Sequence, residues 1–207
     1  MNEVTTNPSI FSMDSQVQEL DALIVGAGFG GIYQLKKLRD DGWTVKLVES
    51  GSDFGGVWYW NRYPGARVDI TIPHYEFSDP VLWKNWTWKQ HFPSGVELRE
   101  YFDHVAHKWD LRKDTKFDSF VEAAVWNDEE NKWTVKTKKG EVFRVKFLLL
   151  NTGIAAKRYI PNWEGIKDSK SECSSASYLT RLISYVMLTK YQAFSSTLCT
   201  GPMMNPT

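Results

Sequence analysis

Asp21-Ala22-Leu23-Ile24-Val25-Gly26-Ala27-Gly28-Phe29-Gly30-Gly31 is the stretch that decides how the rest of the chain is read. A short apolar run ends in a cluster of glycines. Apolar residues then recur at helical spacing as Ile32, Leu35 and Leu38, until Asp41-Gly42 ends the pattern. The predicted order is strand, tight turn, helix. Thr44 to Glu49 follows as a second buried strand, with Val45, Leu47 and Val48 apolar, and completes a βαβ unit.

Within the turn, Gly26, Gly28 and Gly31 form a G-x-G-x-x-G directly after a strand and at the start of a helix. The first glycine of such a motif permits the tight turn, the second lets backbone approach a pyrophosphate, and the third lets helix and strand pack closely. The helix N-terminus presents unpaired N–H groups and a partial positive charge to phosphate oxygens. Alone the motif is weak, because glycine turns are common. Glu49 strengthens it: it closes the second strand roughly 20 residues on, where a carboxylate accepts hydrogen bonds from an adenosine ribose and repels the extra phosphate of NADP.

Working outward, residues 51–93 are rich in glycine, proline and aromatic residues with weak periodicity, which predicts irregular structure shaped around something. Ser94 is a cap for a helix running to Trp109, with Val96, Leu98, Phe102, Val105 and Trp109 near one face. Phe117 to Trp126, Lys132 to Thr137 and Glu141 to Asn151 read as a β-meander, joined by Asp128-Glu129-Glu130-Asn131 and by Lys139-Gly140. Met1 to Leu20 reads as a flexible arm without the basic start and apolar core of a secretory signal.

Lys plus Arg and Asp plus Glu are both 25, which removes the electrostatic case for a nucleic-acid or anionic-membrane partner and favours a small-molecule one. No window approaches the roughly 20 apolar residues of a membrane span. Cys173 and Cys199 stand in no metal or redox spacing, so a disulfide scaffold and a metal site are unsupported and a reducing, cytoplasmic compartment fits. His104 and His107 on the expected helix read as solvated rather than as metal ligands. Ten Trp in 207 residues imply either a large aromatic core or a pocket for a flat ligand, and composition does not choose between them.

Gly55-Gly56-Val57-Trp58-Tyr59-Trp60-Asn61-Arg62-Tyr63-Pro64-Gly65-Ala66-Arg67-Val68-Asp69 is too aromatic for a plain surface loop and too rich in glycine and charge for a core strand. It resembles the segment that wraps the flavin in Baeyer-Villiger monooxygenases. Tyr75 follows Asp69 at that family's spacing, and Phe147 to Gly153 looks like the strand and Asn-Thr-Gly turn leading out of the FAD domain. The resemblance runs from about Asp21 to Asp168.

The resemblance implies an α/β fold, a Rossmann-like FAD-binding domain of glutathione-reductase type with a β-meander. Gly26, Gly28, Phe29, Gly30 and Gly31 would hold the FAD pyrophosphate and Glu49 the adenosine ribose. Gly56, Val57 and Trp58 would lie along the ribityl chain and the isoalloxazine, and Tyr59 would also belong to the cofactor site. Asp69 and Tyr75 would sit beside the flavin, and Val121 would meet the adenine through its backbone. Arg67 and Asp69 would line the side from which NADPH approaches, and Asp69 corresponds to the carboxylate that orients an active-site arginine, the one implied catalytic role. The implied activity is that of a flavin-dependent, NADPH-using monooxygenase that converts ketones to esters or lactones with oxygen. Val68 departs from the family's frequent Cys without altering this picture.

The match stops where composition breaks. After Asp168 come both Cys, three of the five Met, eight Ser and a single acidic residue, Glu172, but no Trp. The family's second glycine fingerprint for NADPH, its F-x-G-x-x-x-H-x-x-x-W-P signature and the arginine are not found. The expectation is therefore an incomplete FAD domain over 21–168 and an unrelated, irregular tail over 169–207, from an altered reading frame, a retained intron or a gene-model error. An incomplete core would favour self-association. The alternative to an enzyme is a catalytically inactive fragment that binds only FAD or a partner.

Overall fold

A computed structural model of the chain describes residues 17–153. Those residues form one mixed sheet in the order β3-β2-β1-β6-β5-β4, with its helices alongside. β1 (Val17–Val25), the helix α1 (Phe29–Asp40) and β2 (Val45–Val48) make the expected βαβ unit. β2 lies parallel to β1, with Ala22 opposite Val45 and Val25 opposite Val48. Ala22, Leu23 and Ile24 are fully buried in sequence, as a parallel strand covered on both faces requires. α1 turns Ile32 and Leu35 inward and places Lys37 and Arg39 in its last turn, where cations offset the partial negative charge of the helix end.

β1 begins at Val17, so Val17–Leu20 belong to the sheet and not to a flexible arm. Their partners are Val142–Val145 of β6 (Val142–Leu150), which returns to run parallel with β1 along its whole length. The remainder of the expected arm, and the expected boundary at Asp168 with its tail, lie outside the described residues.

The segment 51–93 is mostly irregular, as expected, with two one-turn helices, α2 (Val57–Trp60) and α3 (Pro80–Trp83). Ser94 caps α4 (Gly95–Lys108) by accepting from the Glu97 N–H at 3.3 Å. The inward face of α4 is Leu98, Tyr101, Phe102, Val105 and Ala106; Val96, expected there, is 58% exposed. Tyr101 is fully buried with its hydroxyl accepting from the Phe77 N–H at 2.9 Å, and burial pushes its pKa up to about 12. Phe29, Phe77, Trp86, Trp88, Tyr101 and Phe102 form one aromatic part of the core at this helix, whereas Trp43, Trp60, Trp83 and Trp126 are exposed.

β3 (Thr115–Lys116) pairs with β2 on one edge, and β4 (Val121–Asn127), β5 (Lys132–Thr137) and β6 form the antiparallel meander on the other side. Phe117–Phe120 are loop rather than strand, which corrects the start of the first expected run: Asp118 has φ 52°, which an extended strand does not tolerate, and the chain must leave one edge of the sheet for the opposite one.

Candidate functional site

Three backbone segments converge at the carboxyl ends of β1 and β2: the turn 26–28, the segment 49–56 and the residues after β6. Gly26 has φ 104°, and a methyl group there would overlap the Asn151 carbonyl. A methyl on Gly31 would overlap the Gly26 carbonyl, and one on Gly56 would stand 2.9 Å from the Gly28 Cα. Gly55 N–H donates to the Ala27 carbonyl at 3.0 Å, clamping the second glycine pair over the first. The result is a floor of bare backbone beside the first turn of α1, whose N-cap Gly28 supplies no side chain to occupy the helix N–H groups.

Glu49 is the charged group at this floor. It is 5% exposed, and its Oε2 accepts from the Ala27 N–H at 2.7 Å, while Oε1 accepts from the Gly51 N–H at 2.7 Å and the Ser50 hydroxyl at 3.0 Å. It is no solvated strand end. A carboxylate has about four acceptor positions, so Oε2 keeps capacity for one more donor.

An aromatic wall adjoins the floor. Trp58 donates through Nε1 to the Tyr75 hydroxyl at 3.1 Å, Tyr75 meets Phe29 edge-on at 5.3 Å, and Phe29 packs on Phe102 at 4.6 Å. Gly95 leaves room for the Trp58 ring, and Arg99 donates to the Trp58 carbonyl at 3.1 Å.

The expected residues thus divide. Gly26, Gly28, Gly30, Gly31, Glu49 and Gly56 surround the turn, and Phe29, Trp58 and Tyr75 stand together beside it. Val57 is 43% exposed. Tyr59 faces the 51–52 loop: its ring covers Gly51 and its hydroxyl accepts from the Ser52 N–H at 3.0 Å. Arg67 is exposed and donates to Gln90 at 3.0 Å and to the Phe92 carbonyl at 3.3 Å. Asp69 is exposed on the neighbouring segment, held by Val68 N–H to Pro93 carbonyl at 3.1 Å and Ile72 N–H to His91 carbonyl at 3.0 Å. Val121 heads β4, two residues past Ser119, whose N–H donates to the Glu49 carbonyl at 2.8 Å.

Two residues that build the site carry little or no side-chain signal of their role. Ala27 is the amide partner of Glu49, a backbone role that no side chain announces. Asn151 lays its carbonyl on Gly26, sets its Oδ1 beside Gly30 and donates to Gln34 at 2.6 Å. Its signal was the Asn-Thr-Gly turn directly after an apolar strand. His104 differs from expectation: it is half-buried, with its ring tilted against Trp86 at 5.1 Å and its Nε2 3.3 Å from the Leu82 carbonyl. Among the described residues no group of His, Cys, Asp or Glu could hold a metal, and no helix is long and apolar enough to cross a membrane.

A parallel βαβ unit whose turn is stripped to backbone, with a buried carboxylate at the end of its second strand, defines a Rossmann-type dinucleotide-binding domain. Residues 24–87 match the family described as NAD(P)-binding Rossmann-like domain. The chain is 46% identical over 160 residues to the FAD-binding monooxygenase acrE of Aspergillus aculeatus, covering 77% of this chain and 27% of that protein. It is 40% identical over 173 residues to a cyclopentanone 1,2-monooxygenase of Comamonas, covering 83% and 31%. The closed crystal structure of a cyclohexanone monooxygenase superposes with a TM-score of 0.72 at 38% identity, covering 77% of this chain and 30% of that one. The chain corresponds to the amino-terminal, FAD-binding part of a Baeyer-Villiger-type flavin monooxygenase. It spans less than a third of the length of the curated relatives it matches.

Proposed function

We propose that residues 21–168 are the FAD-binding portion of an NADPH-using monooxygenase that inserts an oxygen atom beside a ketone carbonyl. The observation that carries this reading is the Glu49 carboxylate held by the Ala27 N–H at a turn cleared of side chains. The floor accommodates a diphosphate: bare backbone at Gly26, Gly28 and Gly56 admits it, and the first N–H groups of α1 face it. Glu49 Oε2 accepts a ribose hydroxyl. The Phe29–Tyr75–Trp58 wall bounds the flavin end and keeps water from it. When bound, FAD supplies the electron-accepting ring through which NADPH and oxygen react.

Val57 flanks that ring, Tyr59 acts through the 51–52 backbone that it braces, and Val121, at the start of β4 beside the loop that abuts Glu49, meets the adenine. Arg67 and Asp69, exposed beside the wall, face the nicotinamide. Asp69 has the role of orienting an active-site guanidinium. Two cysteines in no disulfide spacing support a reducing, cytoplasmic setting.

Titration of the protein with FAD and with riboflavin tests the assignment. Retained yellow protein, quenched flavin fluorescence and a clear preference for FAD over riboflavin are expected, because the turn and Glu49 recognise the adenosine diphosphate end. A folded protein that retains no flavin, or binds both equally, overturns it.

For the 207 residues acting alone a second reading has its own support. They carry a single glycine fingerprint, and the sheet face at Trp43, Trp126, Trp133, Phe147 and Leu149 borders a cavity of about 450 Å³, with Phe147 52% exposed. That favours a chain that binds FAD without turnover and associates through its unfilled face. Ketone-dependent NADPH oxidation by the purified chain would refute it.

A further inference from the structure

β4 is the outer strand of the meander, and the turns at its two ends carry opposite charge. Beyond its last residue the connection to β5 is Asp128-Glu129-Glu130, all exposed. Near its first residue lies the connection from β5 to β6, with Lys138 and Lys139 exposed; Lys138 N–H donates to the Phe120 carbonyl at 2.9 Å, and its ammonium lies 4.5 Å from the Phe120 ring centre. The strand is a bare template. Ala124, Val125 and Trp126 are exposed, Phe120 just before the strand is 51% exposed, and Glu122 is the only charge within Val121–Asn127. Natural edge strands are usually blunted by lysine, proline or a pronounced bulge. Here the one irregularity lies between Val121 and Ala123, leaving the rest in regular register.

We propose that β4 pairs antiparallel with β4 of a second copy of this chain, about a two-fold axis at Ala124. Such an interface is isologous, so every contact occurs twice. Centred on Ala124, Glu122 faces Trp126 of the second copy, Ala123 faces Val125, and Phe120 faces Asp128. Within Val121–Asn127 no like charges stand opposite one another. The acidic turn of each copy comes beside the basic turn of the other, and that charge pattern selects the antiparallel, self-complementary arrangement over a parallel one. The inference uses neither the cofactor nor the glycine turn, so it stands or falls independently of the function proposed above.

Sedimentation of the full chain over its attainable concentration range, at low and high salt, reads the association. A monomer–dimer equilibrium weakened by salt is expected. Asp128→Lys with Glu129→Lys, or Lys138→Glu with Lys139→Glu, should each raise the dimer dissociation constant about tenfold or more, because both copies then present the same charge at each meeting point. An equimolar mixture of the two double variants should recover wild-type affinity as a heterodimer, since both meeting points become complementary again. All four positions are exposed turn residues, and circular dichroism would confirm unchanged folding.

Ala124→Cys, with Cys173 and Cys199 replaced by Ser, should form an interchain disulfide under mild oxidation, because directly opposed Cα atoms in an antiparallel pair lie about 5 Å apart. A wild-type chain that stays monomeric, a dimer indifferent to both charge reversals, or a mixture that fails to re-associate would each overturn the proposal.

Discussion

Two groups of glycines in this molecule do different work: Gly26, Gly31 and Gly56 stand where a side chain would meet backbone, and Gly42 and Gly140 stand in open turns. At Gly26 a methyl group would run into the Asn151 carbonyl, whereas at Gly42 and Gly140 it would meet nothing within 4 Å. The outer pair serve only the dihedral angles of their turns. Gly26, with Gly31 and Gly56, also holds backbone against backbone, which leaves a smooth floor beside an uncapped helix end. The meander, by contrast, is held by side chains that are present. Glu141 accepts from Lys116 at 2.6 Å, from Ser119 at 3.1 Å and from Thr137 at 3.2 Å, tying β3 and the Phe117–Phe120 loop to the β5–β6 turn.

The difference sets the order of mutational cost. Gly31→Ala should lose about 3 kcal/mol of stability in urea unfolding, because neither β1 nor α1 can retreat from the Gly26 carbonyl. A loss below 1 kcal/mol, about the size of a propensity effect, would mean the turn is looser than its geometry indicates. Glu49→Gln should cost about 2 kcal/mol, since the amide must present an N–H to one of the N–H donors that now share the carboxylate. Flavin affinity should fall with it. Gly140→Ala should cost only about 1 kcal/mol, the strain of a left-handed alanine in open space. Equal costs at positions 31 and 140 would erase the distinction between the two groups.

A pH titration sharpens the comparison from the meander side. Burial opposes ionisation of Glu141, but the Lys116 hydrogen bond and charge, with the Ser119 and Thr137 hydroxyls, outweigh it and lower its pKa. The folded state therefore binds its proton less readily than the unfolded chain. The stabilisation is complete above the ordinary glutamate range and is lost as pH falls through the lowered folded value, from about pH 5 downward. Glu141→Gln should be less stable at neutral pH and flatten the acid limb of the stability profile; an unchanged limb would place the acid sensitivity elsewhere, with Asp114 beside Lys46 and Arg39 the next candidate. The smallest expected effect is at the exposed Lys37–Asp41 pair, where Lys37→Ala should leave unfolding midpoints unchanged.

Much of the site was legible because its constraints are local. Gly26, Gly28 and Gly31 announce themselves by spacing, and Glu49 by its place at the end of a buried strand. The aromatic segment was visible as a whole, but the use of each ring was not: Trp58 joins Tyr75 and Phe29, whereas Tyr59 braces Gly51 and Ser52. Nothing in the pattern separates adjacent aromatic residues until the chain around them is folded. Val96 misled for the same reason, since helical spacing allows it on the inner face and packing puts Tyr101 there.

From the sequence by itself came the βαβ unit, its glycine turn, the carboxylate beside it, the capped helix and the meander, because each follows from short-range backbone geometry and periodicity. Tertiary structure alone decided that Val17–Leu20 are strand, that Thr115–Lys116 form the outer pair and Phe117–Phe120 do not, and that Asn151 closes on Gly26. In each of those cases the deciding partner lies far along the chain, and hydrogen bonds between distant segments leave no periodic trace in either one.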